Sequence, residues 1–153
     1  MLDVHHIEQL ADGFCLPACA QMVLAFYGVQ VDQVRLANQM NVIAPMGTSI
    51  RNITRIYPSI PKSLGVSVGE ADDERPLLAA LINNCPPILR VMTGDLSYWA
   101  MTTTHALVLV GIEGAQAFVN DPAFSDAPKS IALESLLLAW MNAGALFGLI
   151  ERK

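Results

Sequence analysis

A cysteine at the head of an apolar helix, a histidine at the head of an apolar strand and an aspartate sixteen residues beyond it suit nucleophilic catalysis. Cys15 lies in D-G-F-C-L-P-A-C-A-Q-M-V-L-A-F-Y-G, after an Asp-Gly turn and at the start of a run closed by Gly28. A helix N-terminus presents unpaired N–H groups and the positive end of the macrodipole, and both favour a thiolate. A cysteine nucleophile also needs a base. His105, which opens H-A-L-V-L-V-G, is the candidate, with the carboxylate of Asp121 expected to accept its Nδ1–H. Gln9, six residues before Cys15, can offer a side-chain N–H to a developing oxyanion.

Each of these residues has a plainer reading. Free cysteines are commonly core residues. A histidine at the head of an apolar strand can be a satisfied buried group, and an Asp before proline can simply end a hairpin in an Asx turn. If the register slips by one, Asn120 takes the place of Asp121. Cys19, one turn below Cys15, reads as core, and Cys85, between a helix and a strand, as structural. Cys15, Cys19 and the His5-His6 pair supply only half of a zinc pattern, so no metal is expected. His5 and His6 read as surface residues.

The elements that must carry these groups follow from periodicity. The first helix runs from about Cys15 to Tyr27, with Pro17 in its first turn and Gly28 at its C′ position. Asp32 caps a second helix that turns Val34, Ala37 and Met40 inward. Thr48 or Ser49 caps a third, with Ile50, Ile53 and Tyr57 on one face and Pro58 at its end. Gly65–Gly69 is a short strand, and Asp73–Asn84 a fourth helix. From Pro87 the pattern becomes strand-like. P-I-L-R-V-M is followed by Y-W-A-M-T-T-T, expected to be a mobile loop at the mouth of a cleft. The continuous run His105–Ile112 predicts a central strand, and A-Q-A-F-V-N pairs back after Gly114. Ser125–Lys129 reads as loop, Glu134–Met141 as helix and Ala145–Ile150 as a last strand. Helices first and antiparallel strands second imply an α+β fold.

Bulk properties narrow the function. The 153 residues predict a single domain spanning 1–153, and 53% hydrophobic residues can build a sizeable core. A net charge of −5 disfavours nucleic acid or an anionic membrane surface as partner. The apolar stretch Ser135–Ile150 is shorter than a spanning helix, so no membrane span is expected. With three cysteines and no secretory signal pattern, a reducing, cytoplasmic setting is expected.

Taken together, these motifs resemble the bacteriocin-processing cysteine peptidases that cut double-glycine leaders, family thirty-nine of the cysteine peptidases. The resemblance rests on Gln9 with Cys15, Ala18–Gly28, His105–Gly111 and Asp121-Pro122, in that order and at the family's spacing. Gly47–Ser49, P-P-I before the middle strand and L-L-x-x-W ending at Trp140 extend it over nearly the whole chain. It implies a papain-like fold, with Cys15 as nucleophile, His105 as general base and acid, Asp121 as orienter and Gln9 as oxyanion donor. It also implies a peptide or protein substrate, possible association with a transporter or precursor peptide, and no cofactor. The family usually has D-C-G around the nucleophile, whereas this chain has F-C-L. A leucine in place of that glycine is expected to crowd substrate approach. Two other functions stay open beside the peptidase: a catalytically silent peptide-binding domain, and an acyltransferase or deamidase using the same nucleophile.

Overall fold

The computed structural model describes residues 1–153. Helix α1, Cys15–Phe26, is apolar around most of its circumference and is accordingly a core helix. Its Leu16, Cys19, Met22 and Val23 are buried among strand residues Ala106, Val108 and Val110. Gly28 takes a φ of +81° just past the helix, the left-handed conformation that ends helices and that glycine adopts without steric cost.

Six antiparallel strands form one sheet: β1 Leu64–Glu70, β2 Ile88–Met92, β3 Thr104–Glu113, β4 Gln116–Asn120, β5 Lys129–Ala132 and β6 Leu146–Arg152. Their order across the sheet is β1-β6-β2-β3-β4-β5. β3 is buried on both faces, which explains its unbroken apolar run. Ala106, Val108 and Val110 face α1. Leu107 and Leu109 face a second cluster built on helix α4, Leu133–Asn142, with Trp140 at its centre. The Trp140 Nε1–H donates to the Leu146 carbonyl at 3.0 Å. Helices α2, Gln33–Gln39, and α3, Arg75–Ile82, complete the layers.

Several local expectations are corrected. The third helix is a 3-10 helix, Ile50–Ser59, capped by the Ser49 side chain. At three residues per turn, Ile50, Ile53 and Ile56 align on the buried face, and Tyr57 rotates into solvent. Pro58 lies inside this helix rather than ending it. In α2 the buried side chains are Gln33, Leu36 and Ala37, while Val34 is 51% exposed. Gln33 outcompetes the valine because its amide is fully used: Oε1 accepts the Leu10 N–H, and Nε2 donates to the Glu8 carbonyl and to Gln21 Oε1. β5 takes up part of the stretch expected to be loop, pairing with β4 from Lys129 onward. The strand expected at Gly65–Gly69 forms as β1 and joins the sheet through β6.

Residues 1–9 are bound to the sheet and the turn after β4. The Leu2 N–H donates to the Val110 carbonyl at 2.7 Å, the Val4 carbonyl accepts from Asn120 Nδ2 at 2.9 Å, and the Gln9 N–H donates to the Pro122 carbonyl at 2.8 Å. His6 is correspondingly half-buried, not a free surface residue, with Nε2 2.6 Å from the Phe124 carbonyl.

Candidate active site

The first residue of α1 is Cys15, and no acidic side chain occupies that helix's first turn. Its positive end is therefore not neutralised locally. β3 begins at Thr104, which puts His105 one residue inside the sheet's rim. β4 ends at Asn120, so Asp121 stands just beyond the paired backbone. Strand alternation then separates the two neighbours. Asn120 turns to the α1 side and bonds Val4, and Asp121 turns to His105. It is therefore Asp121, not Asn120, that meets the histidine.

The ring contact differs from the expectation. Asp121 Oδ1 lies 2.6 Å from His105 Nε2, not Nδ1. An ionised carboxylate only accepts, so Nε2 carries the proton and Nδ1 is left for Cys15. The reason is positional. Asp121 follows the strand paired to β3, whereas Cys15 approaches from α1, so the ring must bridge partners on opposite sides.

Asp121 is fully buried and receives four donors. His105 Nε2 and the Ala123 N–H, at 3.0 Å, reach Oδ1. The Tyr98 hydroxyl at 2.8 Å and Trp99 Nε1 at 2.9 Å reach Oδ2. Trp99 also stands edge-on to the His105 ring, 4.8 Å between centroids. The segment before β3 is thus anchored rather than free. Thr93 ties its two ends together, accepting the Thr103 N–H at its hydroxyl and donating that hydroxyl to the Met101 carbonyl. Sequence reasoning does not single out Tyr98 and Trp99 as site residues. Their signal is an aromatic pair, each bearing a polar hydrogen, in an otherwise small and polar loop.

The electrostatics follow from these contacts. Burial alone would push the Cys15 thiol up. The His105 hydrogen bond and charge, with the backbone N–H groups of Ala106 and Leu16, outweigh it and hold the thiol below its ordinary value. Burial likewise opposes a charged His105, but Asp121 and Cys15 raise it to about 9. Asp121 is disfavoured as a charge by burial, yet its donors keep it below the usual carboxylate range. The two shifts run in the direction of a thiolate paired with an imidazolium.

The site opens into a cleft of about 490 Å³, within the range of small-molecule and peptide pockets. One wall carries Gln9, Asp12, Gly13 and Cys15; another carries residues 45–50; Trp99 and Met101–Ala106 close the third side. Gln9 Oε1 is buried with no hydrogen-bond partner, which leaves the amide nitrogen as the polar group it can turn to the cleft. Leu16 is only 2% exposed and packs largely into the core, and it also lines the cleft beside Cys15. Cys19 is fully buried, and no three His, Cys, Asp or Glu side chains stand close enough together to hold a metal ion. No helix is long and apolar enough to cross a membrane.

Two glycines set the cleft's width. A Cβ on Gly13 would lie 2.8 Å from the Gly47 nitrogen and 2.9 Å from the Pro45 carbonyl carbon and oxygen, all backbone atoms. Gly13 also has a φ of +88°. Gly13→Ala is therefore expected to cost about 1–3 kcal/mol, the usual penalty for a side chain forced into such backbone. The measurement is the urea midpoint, and an unchanged midpoint would mean that the 45–47 backbone yields freely.

No curated protein sequence matches the chain. Solved structures do share its fold. A C39-like peptidase from Bacillus anthracis is 14% identical, with a TM-score of 0.82 over 99% of this chain and 96% of that one. The peptidase domain of Streptococcus ComA, a bifunctional ABC transporter of a quorum-sensing pathway, is 18% identical, with a TM-score of 0.73 over 97% and 98%. A double glycine motif protease from an AMS/PCAT transporter, solved with its leader peptide, is 19% identical, with a TM-score of 0.74 over 99% and 94%. The family model described as Peptidase_C39 like matches residues 1–146. With nearly its full length matched, the chain belongs to the Peptidase C39-like family.

Proposed function

We propose that this chain is a cysteine peptidase that hydrolyses a peptide bond in a peptide or protein substrate, of the leader-processing kind. The observation that carries the reading is the buried relay from Asp121 through His105 to Cys15, at a helix N-terminus open to a cleft. In this reading the Cys15 thiolate attacks the scissile carbonyl. Gln9 Nε2 and the Cys15 backbone N–H, which has no partner within the helix, stabilise the oxyanion. His105 Nδ1–H gives its proton to the leaving amine, then takes one from the water that releases the acyl group. Asp121 holds the ring throughout. The likeness to the double glycine motif protease of an AMS/PCAT transporter, solved with its leader peptide, supports a peptide substrate of this kind. The three free cysteines suit a reducing compartment such as the cytoplasm.

Digestion of peptide mixtures in water enriched in oxygen-18 tests this. Hydrolysis puts the heavy isotope into one new C-terminal carboxyl group, and iodoacetamide at Cys15 prevents it. Cleavage that survives alkylation of Cys15 would remove the thiol from the mechanism. An unlabelled acyl fragment joined through a new amide to an acceptor amine would show acyl transfer instead.

A further inference from the structure

The cleft holds one cation that the chemistry above does not use. Arg90 lies at the middle of β2, paired with Ala106 of β3 and on the same face. It lines the same cleft as Cys15, Gly47, Thr48 and Ile50. It is half-buried, yet it makes no ion pair and no side-chain hydrogen bond. Elsewhere, on the surface, Arg51 reaches Glu70, Arg55 reaches Asn52, Arg75 reaches Asp73 and Arg152 stands over the Tyr27 ring. Asp12, the cleft's one other charged residue outside the Cys15–His105 pair, is exposed and makes no ion pair with Arg90.

A guanidinium partly stripped of water and left without a carboxylate is costly, and a planar carboxylate is the partner its fork of donors fits best. Met46 and Met101, 86% and 64% exposed, flank the same cleft on two different walls. Methionines exposed at a groove are adaptable contacts for apolar side chains. We propose that Arg90 is a specificity residue that pairs with a carboxylate of the bound peptide, so that the preferred substrate carries an acidic residue near the cut, flanked by apolar side chains seated on Met46 and Met101. This rests on the peptidase reading and names the class of substrate.

The test uses internally quenched decapeptides of Ala, Leu and Gly in which one Glu is moved stepwise along the chain, each with a Gln and a Lys counterpart. kcat/KM is measured for the parent, Arg90→Gln and Arg90→Glu. Binding of the same peptides to Cys15→Ala, and to that variant with Arg90→Gln, is followed by fluorescence anisotropy. One register is expected in which Glu outperforms Gln by about tenfold, as a charge-assisted bidentate pair allows. Arg90→Gln should bring that ratio to within about twofold, and Arg90→Glu should transfer the preference to Lys, a gain that misfolding cannot mimic. The proposal is overturned if no register favours Glu, or if the preference survives Arg90→Gln. If nothing is cut but Arg90-dependent Glu preference persists in binding, the specificity stands and the peptidase reading falls. If peptides are cut without charge preference, the peptidase reading stands and the specificity falls.

Discussion

His105→Ala is expected to lower kcat/KM by about 10²–10⁴-fold, the range for losing a general acid and base, and to move the ionisation of Cys15 upward. The sign follows from the opposing effects on the thiol. Burial raises its pKa and His105 lowers it, so removing the ring leaves burial unopposed. In the parent, the ion pair forms as pH rises through the lowered Cys15 value and is lost as His105 deprotonates at about 9. The pH profile of kcat/KM should therefore be bell-shaped, its alkaline limb near 9, with both apparent values belonging to the coupled pair. In His105→Ala the acid limb of iodoacetamide alkylation should shift to or above the ordinary thiol value of 9.0. Peptide mass spectrometry of Cys15 across pH reads this without any substrate. Identical alkylation profiles in parent and variant would mean that the ring does not act on the sulfur.

Asp121→Asn is expected to damage both stability and turnover. Four donors converge on the two oxygens of this buried carboxylate. An asparagine supplies one oxygen and turns an NH2 toward two of these groups, of which only the Tyr98 hydroxyl or a His105 in the other tautomer can accept. Whichever way the amide flips, one N–H, that of Ala123 or of Trp99, is left facing hydrogens. Breaking a buried charged pair from one side costs about 3–5 kcal/mol, and the loss should appear in the urea or thermal midpoint. Turnover should fall by about 10²-fold or more, because the ring loses the acceptor that sets its tautomer. Tyr98→Phe removes a single donor and leaves three, so its cost should be smaller, about 0.5–1.5 kcal/mol. Equal midpoints for the two variants would show that water fills the gap and that the convergence is not what holds the site.

The residues that meet at the cleft were legible because their chemistry is local: a thiol before an apolar helix, a histidine opening an apolar strand, an aspartate ending the next one. Central strand β3 was legible for the same reason, since burial on both faces leaves an unbroken apolar signature. What was not legible depends on partners distant in sequence. Nothing around His105 says which ring nitrogen meets Asp121; that depends on the directions from which α1 and β4 arrive. The inward turn of Leu16 depends on the rotation of α1 against the sheet. Gln33 displaced Val34 from the α2 interior because Leu10, Glu8 and Gln21 satisfy its amide, an advantage no hydropathy pattern records. Helical spacing of four also misplaced Tyr57, since the 3-10 geometry repeats every three residues.

The strand order carries a consequence for the order of synthesis. β6, made after the other five strands of the sheet, lies between β1 and β2, and it joins the part of the sheet under the 3-10 helix to the part that bears His105. Ile53 of that helix rests on Gly148 of β6, so the wall of residues 45–50 has its footing on the final strand. A nascent chain still lacking residues 146–152 leaves β1 unpaired and one edge of β2 open. On the ribosome, then, the thiol emerges well before its cleft can close, and a chain arrested short of β6 carries the reactive residues without the means to use them together.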